Sequence, residues 1–476
     1  MNKIETKDIQ GIILRGYGKL PEACYALLRF TNSALAKSWL NKLGSRLTTG
    51  EKENERKSAI NFSFTYEGLK FIGLNQSILD TFPLEIQEGM ATTHRSSILG
   101  DYNKSCPSKW LWGNDSNKVH ALLMIFATDR KFLESIYENE QSKWKAFSVE
   151  LVQYINAPSL LHQKEHFGFN DGISQPEIEE LMRDGSNKAN AVPAGEFILG
   201  YKNAYGLFSE SPSVNVSIMP EPEMLSQHPL KNQCKDLGHN GSYMIFRQLK
   251  QDVKKFWGFI EKTTKINLQS EINTKACVAL ASKMVGRWPS GAPLSIYPDH
   301  DPIIWNEKDI FQYSDDKYGR KCPIGAHIRR ANPRDMKDDD PIQALKINNR
   351  HRILRRGRSY GKPLIDSMQP KDLINATEDR IERGLNFICF NTNISRQFEF
   401  IQQTWINNFK FSELYDESDP ILGKPDLAER GLRRNFSYAD QPIRRRIRDL
   451  PSFVETRGGA YFFTPGIRAF KFIAGI

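Results

Sequence analysis

Strand-like and helix-like runs alternate in both halves of this 476-residue chain, so its fold must pack sheets and helices together throughout. In the first half, ACYALLRFT (23–31) reads as a strand and NSALAKSWLNKLG (32–44) as a helix closed by Gly44. INFSFTYEGLKFIGL (60–74) reads as a strand and then a helix. KVHALLMIFAT (118–128) is a further buried strand, followed by a helix through DRKFLESIYENEQ (129–141). The second half repeats the grammar. GSYMIFRQL (241–249) and LNFICFNTN (385–393) are strand-like, and Val253, Phe256, Trp257 and Ile260 fall on one helical face at i, i+3, i+4 and i+7. Ile394, Phe398, Ile401 and Trp405 form a second stripe at spacings of 4, 3 and 4. Core packing accounts for both stripes.

These units predict an α+β protein of two similar sheet-and-helix domains, although no clean internal repeat is present. The Asn-, Ser-, Pro- and Gly-rich segment from about Gly185 to Gly238 reads as a loop near the junction, dividing the chain into 1–200 and 201–476. Apolar residues at 39% and charged ones at 26% are enough for cores of this size and exclude long disorder. No run of about eighteen apolar residues occurs and the start lacks a signal-peptide core, so no membrane association and a cytoplasmic location are expected. The six cysteines, with no C-x-x-C pair, read as reduced thiols. Lys and Arg number 66 against 56 Asp and Glu, a net charge of +10 that suits an anionic cofactor or substrate without choosing one.

Three stretches can carry chemistry. In HFGFNDGISQP (166–176) one carboxylate, Asp171, stands between Gly168 and Gly172, with no lysine or arginine within four residues. Alone this is an ordinary Asp-Gly turn, though the glycines also permit close approach of backbone to a ligand. In KCPIGAHIRRANPRD (321–335), His327 follows small residues and precedes Arg329, Arg330 and Arg334, an imidazole beside cations that suits an iron porphyrin with propionates. HRILRRGRSYG (351–361) packs arginines around a glycine, but without the interleaved aromatics of a nucleic-acid surface, and no nucleic-acid role is expected. His162 and His166, four apart, lack a third ligand nearby and read as structural or pocket-rim residues. IRRRIRD (443–449) reads as a solvated helix face paired with acids.

Taken in order, GFNDG, AHIRRANPRD, RILRRGRSYG, GLNFICFN, QFEFIQQTWINN and RGGAYFFTPG closely resemble the dye-decolourising haem peroxidases, particularly the long, fungal-type members. DIQGIILRGYGK, GSYMIFRQLKQDV and MVGRWPSGAPL extend the resemblance over nearly the whole chain. It implies two ferredoxin-like domains of the dimeric α/β-barrel type, antiparallel sheets with packed helices, and haem b (iron protoporphyrin IX) held between sheet and helices. It also implies hydrogen peroxide and bulky aromatic reductants such as dyes and phenols as substrates, in a monomer or homodimer.

By resemblance, His327 is the proximal iron ligand, Asp419 of DESDPILG its hydrogen-bond partner, Asp171 the distal proton carrier and Arg355 the distal cation that assists heterolysis of peroxide. Leu385 and Phe387 would line the distal side and Arg334 would meet a haem propionate, a simple surface ion pair being the other reading for Arg334. An aspartate works from a lower intrinsic pKa than the histidine base of most other peroxidases, so an acidic optimum is expected. A haem-binding or iron-handling protein with incidental peroxidase activity is the alternative.

Overall fold

The computed structural model describes residues 3–182, 190–217, 224–265, 271–305, 309–336, 338–423, 434–440 and 443–475. Its frame is a nine-stranded sheet running through both halves. In chain order the strands are β1 (Glu22–Phe30), β2 (Ser58–Phe64), β3 (Ala121–Ala127), β4 (Val149–Asn156), β5 (Ser242–Gln251), β6 (Leu354–Arg355), β7 (Arg358–Tyr360), β8 (Gly384–Asn391) and β9 (Val454–Thr464). They lie in the order β4-β1-β3-β2-β9-β5-β8-β6, with β7 also on β8, and every pairing is antiparallel. One register pair, Phe64 with Phe463, joins the two halves.

Near-continuous apolar runs make strands that are covered on both faces. All seven residues of β3, ALLMIFA, are buried. One face of β1 packs Cys24, Ala26 and Leu28 with Trp39 and Leu40 of helix α1 (Ser33–Gly44). The other face turns toward the second half, where the Tyr25 ring meets Phe246 of β5 edge-on at 5.7 Å.

The helices begin where an Asn or Asp side chain caps the first free amides. Asn32 caps α1, Asp129 caps α2 (Arg130–Trp144), Asp252 caps α3 (Val253–Thr264) and Asn273 caps α4 (Thr274–Val285). The stripe Val253, Phe256, Trp257, Ile260 is buried as its spacing predicts. Ile394, Phe398, Ile401 and Trp405 are buried too, but on wider turns: the Glu399 amide bonds the Ile394 carbonyl and the Asn407 amide that of Gln402, each five residues back.

Two expectations need correction. Ile443–Ile447 of the arginine run is a strand paired with Phe436–Asp440, not a helix; its acid partners are Asp440 for Arg445 and Asp416 for Arg446. The segment 185–238 contains a small sheet of Ser213–Asn215, Ser226–Gln227 and Cys234–Asp236, while 183–189 and 218–223 lie outside the described residues. All six cysteines are free thiols. Among the described residues no helix is long and apolar enough to cross a membrane.

Candidate functional site

Strands β6 and β7 continue one register along β8: Leu354 faces Phe390, Arg355 faces Cys389, and Arg358 faces Asn386. Side chains alternate across a sheet, so Arg355 shares a face with Leu385 and Phe387 of β8 and with Leu249 of β5. That face, the end of α4, the short helix α5 (His327–Ala331) and the stretch 395–406 enclose a cavity of about 260 Å³. One water needs roughly 10–15 Å³ of such space, so the cavity has the capacity of a small-molecule site rather than of a solvent pocket.

The segment after β4 brings Asp171 to this cavity. Its Oδ1 accepts from the Gly172 amide at 2.6 Å and from Arg355 Nη1 at 3.1 Å, while Arg355 Nη2 donates to the Ser174 carbonyl at 3.1 Å. Burial works to raise the Asp171 pKa, but the Arg355 charge, the Gly172 amide and more distant His327 outweigh it and hold the carboxyl below its usual value. The flanking glycines do different work. Gly168, at φ +95°, has Leu373 Cδ1 only 2.8 Å from where a Cβ would stand, whereas Gly172, at φ +83°, has open space there.

A second carboxyl holds this loop. Glu165 Oε2 accepts from the Phe167 amide at 2.9 Å and Oε1 from the Phe169 amide at 3.0 Å, and Gln251 Nε2 donates to Oε2 at 2.6 Å. Burial pushes Glu165 up to about 7 against these bonds, and the Asp171 charge adds to the rise. Gln251 Oε1 is buried without a partner among the described residues.

Across the cavity, His327 opens α5, and its Nδ1 lies 2.8 Å from Oδ2 of Asp419, a fully buried carboxylate. Asp419 Oδ1 accepts from the Ile421 and Leu422 amides at 2.8 and 2.7 Å. Burial favours the neutral form of each partner; the mutual charge and hydrogen bond overcome it, raising His327 and lowering Asp419. With Nδ1 engaged, Nε2 is the ring nitrogen left for the cavity, with no protein partner among the described residues, and it can bind a metal.

Four arginines border the cavity: Arg287, Arg334, Arg352 and Arg355. Arg287 and Arg334 share Asp309, at 2.7 and 2.6 Å, and their charges override burial to keep that carboxyl far below its usual range. Arg334 also donates to the Phe311 carbonyl at 2.9 Å, stacks 3.7 Å above the Phe311 ring, and has left-handed backbone at φ +54°. It is a buried cavity-wall ion pair rather than a surface one. Arg352 differs: it is 7% exposed, and its guanidinium has no hydrogen-bond or ion-pair partner among the described residues. Burial, with the charges of Arg334 and Arg355, pushes it down to about 10 despite Asp309. With Glu165 in the neutral form that burial favours, two carboxylates, Asp171 and Asp309, thus face four guanidiniums, which leaves a surplus of two positive charges.

The fold therefore gathers Asp171, Arg355, His327, Arg334, Leu385 and Phe387 around one cavity, with Asp419 directly behind His327. His162 and His166 do not come together as ligands: His162 is exposed, and His166 is buried with Nε2 against the Tyr360 carbonyl at 2.9 Å. Among the described residues no group of three or more His, Cys, Asp or Glu side chains could hold a metal. Sequence reasoning missed Glu165, Asp309 and Arg352. Only Arg352 had a signal, the arginine run, and it stands before β6, where strand alternation does not fix its direction.

Known proteins similar to this chain are peroxidases by name. A dye-decolorizing peroxidase of Mycena epipterygia is 28% identical over 99% of this chain and 87% of its own length. Dye-decolorizing peroxidase msp1 of Mycetinis scorodonius is 26% identical over 98% of this chain and 87% of its own. The crystal structure of a decolorizing peroxidase from Auricularia auricula-judae superposes with a TM-score of 0.77 at 24% identity, covering 99% of this chain and all of that one, and so shares the fold. No family model matches the chain.

Proposed function

Because this chain belongs to the dye-decolourising peroxidase family, we propose that it is a haem b peroxidase that uses hydrogen peroxide to oxidise dyes and phenolic or other bulky aromatic reductants at acidic pH. One observation carries the reading: an imidazole backed by a buried carboxylate and an Asp–Arg ion pair border the same cavity.

The cavity's chemistry fits iron protoporphyrin IX. His327 has Nε2 available for iron, and Asp419 accepts from Nδ1, which raises ligand basicity. The surplus of two positive charges matches two propionates, and Arg352 is the guanidinium with donors to spare for one of them. Leu385, Phe387 and Phe398 supply apolar wall. Bound there, the haem would supply the redox centre that peroxide oxidises and aromatic donors reduce.

The chain's own groups would manage the proton and the charge. Asp171, kept ionised by Arg355, would accept the proton peroxide must lose and return it to the departing oxygen. Arg355, always cationic, would stabilise the negative charge developing on that oxygen. Residues 1–200 would thus contribute the aspartate, and 201–476 the histidine and the arginine.

The test is peroxide-dependent oxidation of an anthraquinone dye from pH 3 to 8 by haem-loaded wild type, Asp171→Ala, Arg355→Ala and His327→Ala. The reading expects acid turnover in the wild type, haem loss in His327→Ala, and retained haem with greatly reduced rate in the two distal variants. Turnover indifferent to Asp171 and Arg355 would instead mark a haem-handling protein.

A further inference from the structure

Glu165 stands six residues before Asp171, borders the same cavity and takes no part in the proposed proton transfer. Its two oxygens accept the amides of Phe167 and Phe169, while the Gly168 amide bonds the Glu165 carbonyl at 2.8 Å and the Glu165 amide bonds the Phe169 carbonyl at 3.0 Å. Residues 165–169 are thereby closed into one turn on a single side chain. The Asp171 amide, bonded to the Gln163 carbonyl at 3.0 Å, follows from that turn. Gln251 of β5 ties the carboxyl to the sheet whose neighbouring strands carry Leu385 and Arg355. The two partners of the Asp171–Arg355 pair are therefore referenced to each other through the Glu165–Gln251 contact.

We infer that Glu165 is a positioning residue for Asp171, and that protonation of Glu165 against Gln251 tunes the peroxide reaction. The orphaned Gln251 Oε1 supports this, because a protonated Glu165 donating to that oxygen, with the amide turned over, satisfies it. Burial favours the same protonated form, pushing Glu165 up to about 7. The charged groups facing it are few. On its own loop Lys164 and Asp171 act on it, and beyond Asp171 lies Arg355. From β5 comes the neutral Gln251, and α3 presents Phe256 and Trp257, the latter donating to the Phe167 carbonyl at 3.2 Å. Two carboxyls in one cavity are thus driven apart, Asp171 toward the anion and Glu165 toward the acid. Ionisation of Glu165 places a second negative charge beside Asp171.

The inference rests on the peroxidase reading for its kinetic consequence, so two readouts are needed. The first is the bimolecular rate constant for peroxide with haem-loaded wild type, Glu165→Gln and Glu165→Asp from pH 4 to 9, followed by the Soret band. Wild type should change rate through about pH 7. Glu165→Gln, whose amide imitates the protonated acid, should lose that limb and keep the acid-side rate across the range, with haem affinity unchanged. Glu165→Asp should restore a limb at a displaced pH. The second readout is the infrared C=O stretch of a protonated carboxyl in haem-free protein, titrating near neutrality and absent from Glu165→Gln. A rate profile of Glu165→Gln that keeps the wild-type shape, or no such infrared band, overturns the inference. If wild type does not react with peroxide at any pH while the band titrates, the peroxidase reading fails and the Glu165 proton stands.

Discussion

Arg352 gives the sharpest test of the cofactor site, because one substitution should act with opposite sign on the haem-free and haem-loaded protein. A guanidinium that is 7% exposed and unpartnered among the described residues carries its charge into a poor solvent. Its pKa falls from the usual 12.5 to about 10, which at about 1.4 kcal/mol per pKa unit is a penalty on the order of 3 kcal/mol. The sign follows from linkage: the unfolded chain binds this proton more tightly, so the folded state bears the full penalty at every pH below about 10. Arg352→Met keeps most of the aliphatic stem and removes the charge. Haem-free Arg352→Met should therefore be more stable than wild type by about 1–3 kcal/mol, once some lost packing is allowed for.

Haem binding should move the other way. Losing a charge-assisted bond to a propionate costs about 1.5–3 kcal/mol, or roughly tenfold to hundredfold in affinity. The assays are thermal unfolding of haem-free protein at pH 7 and a haem titration followed at the Soret band, with Arg352→Lys as the variant that keeps charge but loses the fork. If haem-free Arg352→Met is destabilised by more than about 1 kcal/mol, the guanidinium has a partner in solution and the reasoning fails. If haem affinity is unchanged, Arg352 faces no carboxylate of the cofactor.

The other sites yield narrower expectations. Asp419→Asn keeps the acceptor shape behind His327 but removes its charge; haem should still bind, about 10–100-fold more weakly, with a raised iron reduction potential measured by redox titration. Gly172→Ala, with open space at its Cβ, should cost only the left-handed backbone, about 1–2 kcal/mol, whereas Gly168→Ala must also displace Leu373 and should cost about 1–3 kcal/mol more; equal melting points would show that packing does not decide. Arg355→Met removes the largest effect opposing burial at Asp171 and leaves the Gly172 amide and His327, so the depressed pKa should rise and the acid limb of the peroxide reaction should move to higher pH. An acid limb that stays in place in Arg355→Met would mean that another group titrates there.

Strands β1, β2, β3, β5 and β8 were legible as apolar runs and both helical stripes as one-sided patterns, because burial leaves its mark on the residue order. What was not legible has particular physical causes. The 4, 3, 4 spacing of Ile394, Phe398, Ile401 and Trp405 fits an ordinary helix as well as the wider turns found, since both put these residues on one side. IRRRI has neither clean alternation nor an apolar stripe, and only pairing with Phe436–Asp440 makes it a strand. Among site residues, Asp171 and His327 stood out because small neighbours and isolation from like groups mark a special environment. Glu165 lay hidden between two histidines whose spacing imitated a metal site. Asp309 gains meaning only when Arg287 and Arg334, from separate segments, converge on it.

The arginine run shows most directly how a local sequence becomes a site. Composition alone reads RILRRGRSY as a basic surface, but alternation along the β6–β7 edge sorts Arg355, Arg356 and Arg358 by parity. Arg355 turns to the cavity and Asp171. Arg356 and Arg358 turn the other way, Arg356 donating to the carbonyls of Ile12 and Ile13, and Arg358 to those of Tyr17, Leu20 and Pro21. Main-chain carbonyls from the start of the chain thus accept the hydrogen bonds of two of the guanidiniums. The first half supplies Asp171 on one side of this strand and grips it by two arginines on the other. The 3.1 Å between Asp171 and Arg355 is therefore set by how the halves pack rather than by either half alone.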